Sequence, residues 1–226
     1  MCGRFSQAKD LEELYDEFTF IDEPFDDIVL SPRYNIAPSQ LTPVIINEDG
    51  RNKLKMFKWG LVPSWSKDTK IGYKMINARA ETVSEKPSYK KPFKSRRCLV
   101  IADGFYEWKR PDKKTKIPYR FVMKDRSLIS FAGLWDVWKK EAEPLYTFTI
   151  ITTSENDLMR PIHDRMPVIL PKTNREIWLN PDSNEAELKE LLVPYDSSKM
   201  EHYRVSDVVN NARNELPECI EKIKLL

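Results

Sequence analysis

Between residues 98 and 153 the chain holds four segments, 98–108, 117–124, 128–138 and 144–153, all rich in β-branched and aromatic residues. They read as the strands of one core, and the rest of the chain has to cover it. Residues 41–47 and 53–62 add a hairpin about Glu48-Asp49-Gly50, a strong turn signal. Helical patterns lie toward the ends. Residues 6–20 place Leu11, Leu14, Tyr15 and Phe18 on one face of an amphipathic helix. Segment 21–40 is Pro-rich and reads as ordered loop. Residues 75–85 read as a short helix or helical turn, and 154–162 as a short helix capped by Ser154. A strand at 167–170, helices at about 173–180 and 184–192 and a polar tail complete the chain. Strands dominate the middle and helices the ends. The expected class is α+β, with a curled, mostly antiparallel, barrel-like sheet and peripheral helices. At 226 residues, with no repeat, low-complexity run or long linker, residues 1–226 are expected to form a single domain ending in a short tail.

Several chemistries are excluded by what the chain lacks. Its six glycines fall in no GxxxxGK or GxGxxG string, and neither GxSxG nor HExxH occurs. Two histidines and three cysteines without CxxC spacing argue against a zinc site and a disulfide frame, so reduced thiols and a cytoplasmic setting are expected, with no metal or organic cofactor. No basic-then-apolar leader precedes Cys2, and runs such as Leu99-Val100-Ile101-Ala102 are too short for a bilayer, so no membrane partner is expected. The net charge of +2 hides an uneven distribution, because residues 31–170 carry +12 between flanks of −7 and −3. That excess serves either a polyanion-binding face or ordinary solvation.

The second residue is chemically the most distinctive. A residue as small as Cys after an initiator Met normally permits Met removal, which would leave Cys2 as the mature N-terminus. Amine and thiol on adjacent carbons, with reference pKa values of about 7.7–8.0 and 8.5, are both appreciably nucleophilic near neutral pH. With an aldehyde the amine forms a Schiff base, the thiol adds to the same carbon, and a thiazolidine closes. Cys98 and Cys219 have their nitrogens in peptide bonds and cannot do this. The plain alternative is a frayed terminus with no role.

Three other places carry polar residues in apolar strings. Glu107 sits between Tyr106 and Trp108; it is either a buried carboxyl with a raised pKa or an exposed one on the opposite strand face. His163, between Ile162 and Asp164, is either a general acid/base or a structural histidine at a corner. Asn77 and Arg79 point the same way if their segment is extended, one suited to an amine or carbonyl and the other to a phosphate. On a helix they diverge, as a cap and a surface charge.

Eight strings stand in order: CGRF at 2–5, RYNIAPSQ at 33–40, KWGLVPSW at 58–65, INARAET at 76–82, RCLVIADGFYEW at 97–108, FAGLWD at 131–136, TIITTSEN at 149–156 and HDRMPVIL at 163–170. Together they resemble the SOS-response-associated peptidase (SRAP) family of abasic-site-processing proteins. The tail VVNNARNELPECI, 208–220, is similar to that family's ending, with Leu216 where Gly is common. The resemblance implies covalent capture of the ring-opened aldehyde of an abasic site in single-stranded DNA as a thiazolidine on Cys2, shielding the site during repair. It implies that Asn77 positions the amine, that Glu107 shuttles protons in capture and reversal, and that His163 assists sugar opening and Schiff-base formation. It further implies that Arg4, Arg79 and Arg165 contact phosphates and that Pro38, Trp65 and Trp108 pack against flanking bases. The basic stretches 86–97 and 109–116 would extend the groove. A monomer, cytoplasmic and nucleoid-associated when bound to DNA, is expected, with strand cleavage by β-elimination as a side reaction. Two alternatives stand beside this: a thiol peptidase that removes its own leading Met, and a single-strand-binding module with no chemistry.

Overall fold

The computed structural model describes residues 2–22 and 30–223; Met1 and residues 23–29, within the expected 21–40 loop, lie outside the described residues. Its centre is a ring of five strands. β3 (Leu41–Glu48) and β4 (Arg51–Trp59) form the expected hairpin, with Asp49 and Gly50 both at positive φ in the turn. β6 (Arg97–Ala102) pairs with β3 and with β9 (Ile129–Trp138), and β9 with β10 (Leu145–Ser154), all antiparallel. β10 then meets β4 in parallel and closes the ring. Two short strands extend it along β10: β5 (Asn77–Arg79), parallel, and β11 (Arg165–Pro167), antiparallel.

A second, antiparallel sheet has the order β12-β8-β7-β1-β2: Met200–Arg204, Ile117–Met123, Gly104–Lys109, Phe5–Gln7 and Arg33–Ile36. Phe5, Trp59, Phe105, Phe121, Phe131 and Phe148 fill the space between sheet and ring, and Cys2 belongs to the same cluster. On the other side α1 (Leu11–Glu17), α2 (Pro87–Ser95), α3 (Lys172–Leu179) and α4 (Glu185–Glu190) cover a second cluster containing Leu14, Phe93, Leu99, Trp178 and Leu188. No helix among the described residues is long and apolar enough to cross a membrane.

The α+β class and the curled, mostly antiparallel sheet match the expectation; several local expectations do not. The helix expected over 6–20 begins only at Leu11, where Asp10 and Glu13 form a reciprocal capping box. Residues 5–7 instead pair with two strands, a tertiary gain invisible to helical periodicity. Residues 77–79 form a strand rather than helix because Ile150–Thr152 offers them a ladder. The expected strand 98–108 is two strands broken at Asp103, and each belongs to a different sheet. β10 runs to Ser154 and residues 157–162 form turns, with the Asn156 carboxamide rather than Ser154 accepting the Met159 N–H. The expected 21–40 loop contains β2, the expected strand at 167–170 lies earlier as β11, and the polar tail contains β12.

Candidate active site

The site depends on how β1 is held. The Asp103 carboxylate at the strand break accepts from Ser6 Oγ at 2.5 Å, from the Ala8 N–H at 2.9 Å and from Arg120 Nη2 at 2.8 Å. Gly104 is required here: a Cβ would meet the Arg120 guanidinium at 2.7 Å. The Tyr106 N–H donates to Arg4 O, so the chain is fixed two residues from Cys2. Cys2 is fully buried, its Sγ 4.0 Å from Arg4 O. Burial, and after it the Glu107 charge, pushes the thiol far above its ordinary range.

Glu107 follows Tyr106 on β7 and is only 3% exposed. The buried alternative therefore holds, and desolvation raises its pKa to about 7 against the opposing pull of the amino-terminal charge. Its Oε2 stands 3.9 Å from His163 Nε2. His163 Nδ1 lies 3.0 Å from the Arg165 backbone nitrogen and 2.9 Å from Asp164 Oδ1, and its Nε2 faces Glu107. Partial burial lowers the His163 pKa and keeps the ring neutral near pH 7. Asn77 lies on β5 just after Ile76, which packs on the Cys2 cluster and whose carbonyl accepts from Trp59 Nε1. Both atoms of its carboxamide are buried without a hydrogen-bond partner, an arrangement a fold tolerates where a ligand completes it.

Beyond Glu107 and His163 opens a cavity of about 620 Å³, also lined by Trp108, Lys109, Arg110 and Ile162. Through Trp108 and Arg110 it adjoins a second of about 530 Å³, where Arg4, Arg110, Lys114 and Lys116 are the charged lining. The Arg4 guanidinium lies 5.9 Å from the Trp108 ring centre and donates to Asn35 Oδ1 at 2.7 Å and Val209 O at 3.0 Å. Trp108 Nε1 donates to Asn210 Oδ1 at 2.6 Å. Asn35 in turn donates to the carbonyls of Asn211 and Asn214, while Glu215 accepts from the Asn35 N–H and from Arg33 Nε. The tail thus forms a wall of the groove and fixes Arg4.

The other expected contacts are more scattered. Arg79 is exposed; Arg165 pairs with Glu81 through both terminal nitrogens and donates to Thr152 O at 2.6 Å. Trp65 is 57% exposed on the connection after β4, and Pro38 precedes Ser39 at φ 74°. The stretch 109–116 is exposed, a loop from 110 onward after Lys109 ends β7, but 86–97 is mostly α2. Its Arg97 turns inward to the carbonyls of Phe93, Lys94, Trp178 and Asn180, and Arg96 pairs with Asp136. Neither is free to extend a groove. Sequence reasoning missed Asn35, Asp103, Arg120, Asn210 and Glu215. The Asp103-Gly104 pair closing an apolar run was the one visible signal.

A two-sheet α+β protein with a buried cysteine at position 2, an adjoining carboxylate and imidazole, and a cationic groove is the class that fold and site define. Residues 1–212 match the family described as SOS response associated peptidase (SRAP), and the chain belongs to that family. The abasic site processing protein YoqW of Bacillus subtilis is 52% identical over 223 residues, covering 98% of this chain and 99% of its own. The abasic site processing protein HMCES of Xenopus tropicalis is 34% identical over 86% of this chain and 67% of its own. A crystal structure of a Bacteroides thetaiotaomicron protein matches with a TM-score of 0.88 at 31% identity, covering 99% of this chain and 100% of that one.

Proposed function

We propose that this chain, as a monomeric single domain, captures abasic sites in single-stranded DNA by forming a thiazolidine on Cys2 after loss of Met1. The observation that carries it is the buried Glu107, electrostatically coupled to the Cys2 thiol and 3.9 Å from His163, at the edge of a cavity that leads to a cationic groove. The names of the relatives, which are abasic site processing proteins, support the substrate.

Burial holds Cys2 as a thiol, so the amine leads. Its lone pair adds to the C1′ aldehyde of the opened sugar, and the unpartnered Asn77 carboxamide is suited to orient the amine or the carbonyl. With a pKa of about 7, Glu107 is present in both forms at neutral pH. As the acid it protonates the departing hydroxyl, and water leaves the carbinolamine to give the imine. The Cys2 sulfur then adds to the imine carbon while its proton passes to nitrogen, closing the ring. His163, with its Nε2 toward Glu107, assists opening of the sugar. Arg4, Arg79 and Arg165 serve the phosphates, and Pro38, Trp65 and Trp108 the flanking bases. For Arg165 this means sharing its pair with Glu81. Run backward, the same proton transfers release the DNA. The imine also acidifies C2′, so slow β-elimination accompanies capture. A cytoplasmic protein that joins nucleoid DNA when bound fits this role.

Incubation with a single-stranded oligonucleotide carrying one abasic site, followed by denaturing electrophoresis and intact mass, tests the proposal. The expected product is a protein lacking Met1 and joined to the DNA with loss of one water. A thiol peptidase that merely removed its own Met, or a plain strand-binding module, would form no adduct.

A further inference from the structure

The connection from β4 to β5, residues 60–76, is pinned along its length. Gly60, at φ 119°, and Gly72 cross back to back: a Cβ on Gly60 would lie 2.6 Å from Gly72 O, and one on Gly72 2.8 Å from Gly60 O. The Leu61 N–H donates to Met75 O, the Val62 N–H to Thr147 Oγ1 and the Ser64 N–H to an Asp136 carboxylate oxygen; Ser66 O accepts from Trp138 Nε1. On this rigid pedestal Tyr73, directly after Gly72, is 69% exposed. Burying such a ring would be favourable, yet the Gly60–Gly72 backbone crossing holds it in water. Tyr73 shares a crevice with Ser39, the residue after Pro38, and with Lys58 and Trp59.

The charges around it are mostly positive. Lys67, Lys70 and Lys74 are exposed on the same connection and form no ion pair among the described residues. Its single carboxylate, Asp68, accepts from the Lys70 N–H as a turn cap. A fixed, exposed ring among unpaired cations suits a polyanion whose units carry a π-face, because stacking on a preset ring costs little ordering. We propose that Tyr73 is a base-stacking platform for an unpaired base of the bound single strand, in the crevice it shares with Ser39 and on the same connection as Trp65. This rests on the strand-capture reading and extends its binding track past the residues expected to touch DNA.

Fluorescence anisotropy with a labelled, undamaged oligothymidine tests it. Tyr73→Ala should weaken binding about 5- to 150-fold, the equivalent of roughly 1–3 kcal/mol for one stacked base, and Tyr73→Phe, which keeps the ring, should restore it. Wild-type affinity in Tyr73→Ala, or equal loss in Tyr73→Phe, overturns the inference. The second outcome would mean that the hydroxyl, not the ring, matters. A wild-type protein that binds the strand but never forms an abasic-site adduct would sink the capture proposal and leave the stacking intact. An adduct-forming wild type with an unaffected Tyr73→Ala would do the reverse.

Discussion

Two regions of this molecule hold the same residue types and use them in opposite ways. Around β6, α2 and α3, Arg97 meets four carbonyls and Cys98 packs under Gly133, where a Cβ would lie 2.8 Å from its sulfur. Around β1, β7 and the tail, Arg4 keeps its Nε without a partner, Cys2 adjoins a carboxylate, and four cations line an open cavity. Both thiols are buried and both have raised pKa values. What separates Arg97 from Arg4 is whether the guanidinium is already satisfied: all three Arg97 nitrogens donate to carbonyls, whereas Arg4 Nε donates to none. A saturated side chain holds the fold; one with a donor left open is ready for a ligand.

The comparison breaks most sharply at the thiols. Cys2→Ala should abolish the abasic-site adduct on denaturing gels, whereas Cys98→Ala should leave it unchanged while costing about 1–2 kcal/mol in urea unfolding. If Cys98→Ala also lost the adduct, the two thiols would not differ in function and the comparison would fail.

Glu107→Gln should slow adduct formation by about 10²–10⁴-fold in single-turnover kinetics. Its stability effect has the opposite sign. The folded pKa of about 7 lies above the ordinary glutamate value of about 4.5, so the wild-type protein loses stability as pH rises from about 4.5 to 7 and no more beyond. Glu107→Gln should therefore be up to about 3 kcal/mol more stable at pH 8 and gain nothing at pH 4. A destabilised variant at pH 8 would mean that the carboxylate is held by the fold rather than against it.

Arg97→Ala, which leaves four carbonyls without their donor, should cost about 3 kcal/mol and lower Tm by roughly 10 °C without altering the salt dependence of strand binding. Lys114→Ala with Lys116→Ala should do the converse. Tm should hold, and the slope of log affinity against log salt should fall by about 1.4, the share of two phosphate contacts on a single strand. An unchanged slope would remove the 109–116 loop from the groove.

Much of this was legible beforehand. The β3–β4 hairpin announced itself through a turn whose chemistry is local, and the helices near 173–180 and 184–192 through periodicity. The segments 77–79 and 5–7 were not legible as strands, because their partners are distant in sequence. Cys2 and Glu107 could be named from their strings, but whether Glu107 was buried could not, since alternation along a strand allows either face. The two basic stretches looked alike as composition, yet 86–97 turns Arg96 and Arg97 inward while its lysines, like the whole of 109–116, stay in solvent.

Local chemistry thus set the α+β class, the turn at Asp49-Gly50, the reactive pair of groups at Cys2 and the absence of a phosphate loop or metal-ligand motif, all properties of neighbouring residues. Tertiary structure alone decided that Arg96 and Arg97 of one basic stretch turn inward, which sheet each half of 98–108 joins, and that a tail some two hundred residues away holds Arg4. Each of those outcomes depends on desolvation and on hydrogen bonds between distant parts of the chain, energies that no short stretch of sequence contains.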